Sequence, residues 1–144
     1  CGSTGEGPLQ TVPERILVAE TVLHQVAGRV PVIVHVGAAV LKDARRLAQH
    51  AQAAGAAGIS SILPPVLYDA RGVVPYFEAI AAAAPELPFL SYLFGSTRDA
   101  VALMRDLGHI PNLAGTKYTG PNMYEMSQLV RFRSVGWTGI GWAL

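Results

Sequence analysis

The sequence predicts an α/β fold, and within that class part of a (β/α)8 TIM barrel, on three observations. Stretches with helical spacing of apolar residues alternate with short β-branched runs, the pattern of βαβ units and a parallel sheet. Hydrophobic residues make up 51% of the chain and charged ones only 15%, a balance suited to strands covered on both faces. Candidate chemistry-bearing side chains fall at the C-terminal ends of the strands, where a barrel keeps its active site. A doubly wound sheet shares the alternation, but no Gly-x-Gly-x-x-Gly follows a strand here.

The chain opens on Gly2-Ser3-Thr4-Gly5-Glu6-Gly7-Pro8. Its glycines allow positive φ and bring backbone N–H groups together, with two hydroxyls between them, as an anion cradle requires. No Gly-Lys-Ser/Thr follows, so it is not a nucleotide P-loop. A helix start comes next, with Thr11 as N-cap, Pro13 in the first turn and Glu14 nearby. Residues 12–27 are amphipathic and stop at Gly28. Residues 30–36 form a β-branched run ending at Gly37. A second helix spans 41–54 with an alanine-rich face, followed by a strand at 59–63 stopped by Pro64 and Pro65. Residues 73–84 read as helix and 87–92 as strand. A further helix covers 97–107, with Ser96 or Thr97 as its N-cap. The unit repeats once more, with a strand at 113–117 and a helix at 122–131. No strand feeds the opening loop, so the chain reads as starting in the middle of a domain.

Composition excludes several classes. A net charge of +1 and a pI near 8.1 leave no electrostatic footprint for nucleic acid or an acidic membrane. Mean hydropathy is high, at +0.33, yet no uninterrupted apolar run is long enough to span a bilayer. The single cysteine, Cys1, excludes an internal disulfide framework. His24, His35, His50 and His109 lack metal-ligand spacing, so neither a metal nor another cofactor is expected. A cytoplasmic, reducing setting is the default.

The chain has two lysines. Lys42 sits on a polar helix face beside Asp43, Arg45 and Arg46. Lys117 instead follows the uncharged run Ala114-Gly115-Thr116 at a strand's C-terminal end. Among apolar walls an amine there is disfavoured as ammonium and becomes available as a nucleophile. The plainer alternative is a strand-end lysine that snorkels to water.

Taken together, these residues resemble the N-acetylneuraminate lyase and dihydrodipicolinate synthase family of class I pyruvate aldolases. The matching pieces are Gly2-Ser3-Thr4-Gly5-Glu6, Ile33-Val34-His35-Val36-Gly37, Leu87-Pro88-Phe89-Leu90-Ser91-Tyr92 and Gly115-Thr116-Lys117-Tyr118-Thr119. Each is weak alone; four in the family's order, over about residues 1–131, carry the resemblance. The stretches Leu47-Ala48-Gln49-His50 and Ala81-Ala82-Ala83-Ala84-Pro85 look closer to lyases than to synthases. The resemblance implies that Lys117 forms a Schiff base with a 2-oxo acid and that Tyr92 relays a proton. It further implies that Ser3, Thr4 and the Gly5 N–H hold the substrate carboxylate, and that Thr119 contacts substrate. A homo-oligomer, a tetramer in the family, is implied as well.

The chain also departs from the pattern. Tyr92 is followed by Leu-Phe-Gly-Ser-Thr-Arg98, without the synthases' proline and arginine register and without the lyases' His-Ile-Pro. Leu67 or Tyr68 occupies the region of a tyrosine that reaches a neighbouring subunit in many relatives. At 144 residues the chain is short of the roughly 250 that a full barrel needs. The expectation is therefore the second to sixth strand-helix units over residues 1–133, then a divergent Gly/Trp-rich tail over 134–144. Trp137 and Trp142 would be core of a further strand or the product of a misjudged frame. Function stays open between a lyase, a synthase or other sugar-acid aldolase, and an inactive fold remnant that at most binds a small carboxylate.

Overall fold

The computed structural model describes residues 1–63, 70–94, 99–131 and 139–142, with the side chains of 70, 71 and 139–142 excepted. The expectations for Pro64, Pro65, Leu67, Tyr68, Ser96, Thr97, Arg98 and Trp137 lie outside the described residues. Five strands, β1 (Ile33–His35), β2 (Gly58–Ile62), β3 (Phe89–Phe94), β4 (Leu113–Thr119) and β5 (Gly139–Trp142), form one sheet in sequence order. Every neighbouring pair is parallel. A doubly wound sheet reverses its strand order part-way; this one never does. Right-handed crossovers without reversal put the helices on a single face, which is the construction of a barrel wall. Residues 139–142 of the glycine-rich tail continue that sheet as β5 beside β4.

The helices are α1 (Val12–Val26), α2 (Leu41–Ala53), α3 (Ala70–Ala81), α4 (Ala100–Asp106) and α5 (Met123–Arg131). None among the described residues is long and apolar enough to cross a membrane. A reciprocal capping box between Thr11 and Glu14 starts α1, and Ala27 and Gly28, both at positive φ, end it. Spacing of three and four residues puts Ala44, Leu47, Ala48 and Ala51 of α2 in the core. That core lies between sheet and helices, around Ile59, Phe77, Ile80, Phe89, Met104 and Leu107.

Several boundaries differ from the sequence reading. β1 is shorter than 30–36, because Pro31 has no N–H for the ladder and Val30 remains exposed. α3 begins at Ala70, so Pro75 sits inside the helix rather than in its first turn. The same helix stops at Ala81, where the Asn112 side chain takes over: its amide donates to the carbonyls of Ala81, Ala84 and Leu87 at 3.1, 3.1 and 2.9 Å. α4 starts later than read, capped by Asp99, whose carboxylate accepts from the Ala102 N–H at 2.9 Å.

Candidate active site at the strand ends

Lys117 and Tyr92 are partners in the β3–β4 register, side by side at the C-terminal end of the sheet. The lysine Nζ lies 4.0 Å from the centroid of the tyrosine ring. Tyr92 is buried, at 7% exposure, and Lys117 is half-buried, so the amine is neither sealed in nor free in water.

A β-bulge puts the lysine there. Phe89 pairs with Leu113, but the next residue, Leu90, pairs with Gly115, leaving Ala114 as an extra residue in β4. Without it, alternation would pair Thr116 with Tyr92 and turn Lys117 toward the helices. The bulge thus keeps Leu113 in the core while Lys117 faces the opposite way. Gly115 permits the distortion, with φ 152, a value that side chains other than hydrogen rarely accept.

Thr119 pairs with Phe94 two residues beyond the Lys117–Tyr92 pair and so shares their face. Its Oγ1 is buried with no hydrogen-bond partner, a polar group available to a ligand. The opening loop lies at the same end, since a Cβ on Gly2 would come 4.0 Å from the His35 ring. Ser3, Thr4 and Gly5 are exposed. The loop is tied by the Gly7 N–H to the Gly2 carbonyl at 3.1 Å and by Glu6, which turns at φ 56. A strained non-glycine in a surface loop is the kind of backbone that binding sites retain.

Other residues fix the turn after β1. Arg15, buried to 4% exposure, donates to the carbonyls of Gly37 and His35 at 2.8 and 2.7 Å. The Tyr76 hydroxyl accepts from the Ala38 N–H at 3.1 Å and donates to its carbonyl at 2.9 Å. The His35 Nε2 accepts from the Ile62 N–H at 3.1 Å. Burial first, then the positive charges of Arg15 and Lys117, push the His35 imidazole down to about 3. The sequence places His35 among the candidate side chains at strand ends without a specific role, and singles out neither Arg15 nor Tyr76. Arg15 was findable, as a charged residue four before Ala19 on the buried side of α1. Among the described residues no cluster of three His, Cys, Asp or Glu could hold a metal ion.

Residues 1–139 match the family model described as the dihydrodipicolinate synthetase family. The chain belongs to that family. It is 37% identical over 137 residues to N-acetylneuraminate lyase of Xenopus tropicalis, covering 90% of this chain and 45% of the relative. It is 36% identical over 133 residues to 4-hydroxy-tetrahydrodipicolinate synthase of Thermus thermophilus, covering 89% and 44%. The structure of Proteus mirabilis N-acetylneuraminate lyase superposes with a TM-score of 0.91 at 32% identity, over 99% of this chain and 50% of that one. The chain thus spans about half the length of these relatives. The family is one of class I pyruvate-dependent aldolases, and the fold is part of an aldolase TIM barrel. Lyase and synthase relatives match at similar identity, so the family is fixed and the substrate within it is not.

Proposed function

We propose that this chain carries the Schiff-base centre of a pyruvate-dependent lyase that cleaves N-acetylneuraminate to pyruvate and N-acetylmannosamine. In this reading the Lys117 amine attacks the C2 ketone and, with one proton taken up from solvent, expels water, giving an iminium. The C3–C4 bond then breaks, its electron pair passing to C3 as an enamine, while the Tyr92 hydroxyl takes the C4 hydroxyl proton and passes its own on toward C3. Protonation at C3 and hydrolysis of the iminium release pyruvate and restore the amine. Ser3, Thr4 and the Gly5 N–H hold the carboxylate, and Thr119 contacts the substrate beside the lysine. The observation that carries this reading is the Lys117–Tyr92 pair. Its amine lies against an aromatic face, which attracts positive charge and would serve the iminium at that nitrogen.

Incubation with pyruvate and borohydride, followed by peptide mapping, tests it. A reduced adduct is expected on Lys117 and none on Lys42; labelling of neither, or of both equally, sinks the proposal. The departure from the lyases' His-Ile-Pro after Tyr92 supports a second reading, in which the chain forms the imine but does not grip the sugar. Adduct formation without N-acetylneuraminate cleavage distinguishes it. A third reading, synthase chemistry, has the same lysine and is separated by supplying aspartate semialdehyde as acceptor. Cytoplasmic location and assembly as a homo-oligomer belong to the same proposal; light scattering on the purified chain checks the assembly.

A further inference from the structure

Strand register lays out what surrounds the amine on the inner face. Ile62 of β2, Tyr92 of β3 and Lys117 of β4 share one row across the sheet. The next row toward the strand ends, the side on which a barrel receives its ligand, holds Phe94 and Thr119. Phe89, Ser91 and Leu93 of β3 are buried on the helix side, and alternation sends Phe94 the other way, where it is exposed. Its ring meets that of Tyr92 edge-on, with centroids 6.1 Å apart and planes at 78°. Phe77 and Phe89 pack against each other inside the core; the phenyl ring of Phe94 instead offers its surface to whatever enters. The sequence adds a second observation. Leu93-Phe94-Gly95 stands in place of the lyases' His-Ile-Pro, so a flat ring replaces a branched aliphatic side chain in this row.

We propose that Phe94 is a specificity-determining residue, its ring forming the wall against which the aldehyde half of the substrate lies and favouring aldehydes that carry an aromatic or other flat apolar group. This deepens the imine reading above and rests on it. In that reading the Tyr92 hydroxyl handles the oxygen on C4, so the group that C4 carries beyond that oxygen has to pass the ring that Tyr92 touches. A hydroxylated chain laid on a phenyl face gives up water and gains no hydrogen-bond partner from it. A phenyl group loses nothing by leaving water and stacks on the ring offset or edge-on. The residue thus ranks aldehydes by their apolar surface, while the bond-making groups stay the same.

Condensation of pyruvate with an aldehyde, the reverse of the cleavage written above, reads the preference. There C3 of the pyruvate enamine attacks the aldehyde carbon, the aldehyde oxygen takes its proton from Tyr92, and hydrolysis of the iminium frees the product. kcat/KM is measured with benzaldehyde and with N-acetylmannosamine for the unsubstituted chain, Phe94→Ala and Phe94→Ile. The two aldehydes differ in intrinsic reactivity, and following each across the three chains cancels that difference. Phe94→Ala is expected to lower kcat/KM at least about tenfold with benzaldehyde, the worth of a ring's apolar contact, and less than about threefold with N-acetylmannosamine. Phe94→Ile falls between. Borohydride trapping on Lys117 in the same samples reports on the imine centre. Equal losses with both aldehydes, no loss with benzaldehyde, or trapping without condensation of either overturns the inference and leaves the Lys117 chemistry standing. Loss of trapping in both variants also overturns it, making the ring a support for Tyr92. Absence of a Lys117 adduct in the unsubstituted chain overturns the imine reading as well. A measurement on that chain is independent of how the variants fold. With the pyruvate adduct reduced in place, NMR contacts between the ring protons of benzyl alcohol and those of Phe94 support the wall, and their absence refutes it.

Discussion

Residues adjacent in the chain meet opposite fates on the two faces of this sheet. On the helix side, Ser91 donates to the Met104 sulfur at 3.2 Å and Thr116 donates to the Ser91 carbonyl at 2.9 Å. The Tyr118 hydroxyl donates to Glu125 at 2.5 Å, and the other Glu125 oxygen accepts from the Ala100 N–H at 2.8 Å. Each of these groups has a partner, as packing demands. One residue along, on the inner face, Tyr92 and Lys117 meet through a ring contact, Thr119 Oγ1 has no partner, and Phe94 is 65% exposed. Groups already paired hold a structure together; groups left unpaired are free to hold something else.

Lys117→Ala presses hardest on that contrast. Pyruvate trapping should vanish, while the urea midpoint stays within experimental scatter because no paired group is lost. Loss of stability would place Lys117 among the structural residues after all. Tyr92→Phe keeps the ring against the amine and removes only the hydroxyl. The adduct should form normally, with N-acetylneuraminate cleavage slower by about 10²- to 10⁴-fold, the usual worth of a positioned acid or base.

The bulge joins the two faces. Gly115→Val forces a side chain where φ is 152, so β4 has to relax or shed its extra residue. A displacement of about 1 Å in Lys117 should reduce the trapping rate on the order of a hundredfold, with stability lower by about 1–3 kcal/mol. Normal trapping in a folded Gly115→Val chain would mean that the lysine's aim does not depend on the bulge.

Tyr118→Phe is the matching change on the helix side. It strands the Glu125 carboxylate, whose proximity and the burial of the ring, the latter the larger cause, push the Tyr118 phenol up to about 12. Stability should fall by about 1–3 kcal/mol, with trapping per folded molecule unchanged.

The sequence makes this division only half legible. Alternation and the strand-end position of Lys117 identify the βαβ units, and period-two reasoning suffices for β3, where Ser91 and Tyr92 plainly face opposite ways. In β4 the same reasoning misleads: Leu113 and Lys117 are four apart and ought to share a face. The extra residue that separates them is visible only once β3 is beside them, because a bulge is a property of a pair of strands. Arg15 and Tyr76, and the partner of His35, escaped for a similar reason. Their partners lie 20 to 38 residues away, beyond any local pattern. The cap of α4 failed differently, since Ser96, Thr97 and Asp99 are all competent caps and only the Asp99–Ala102 contact decides.

The pH dependence comes from two histidines and should have opposite signs. His35 is buried at the inner face near Arg15 and Lys117, so its folded value, about 3, lies below the unfolded 6.5. Its contribution is fully present above pH 6.5 and is lost as pH falls toward 3, with a slope of up to about 1.4 kcal/mol per pH unit. His109 lies outside, paired with Glu78 on α3 and with the Asp106 carbonyl, and these contacts raise it above 6.5. Its contribution is present below pH 6.5 and fades as pH rises through the raised value; solvent keeps it small. Urea midpoints from pH 4 to 8 for the chain and for His109→Gln separate the two. The substitution should flatten only the alkaline side and leave the acid slope untouched. An acid slope that also disappears would assign the proton uptake to the outer pair and not to the buried imidazole of His35.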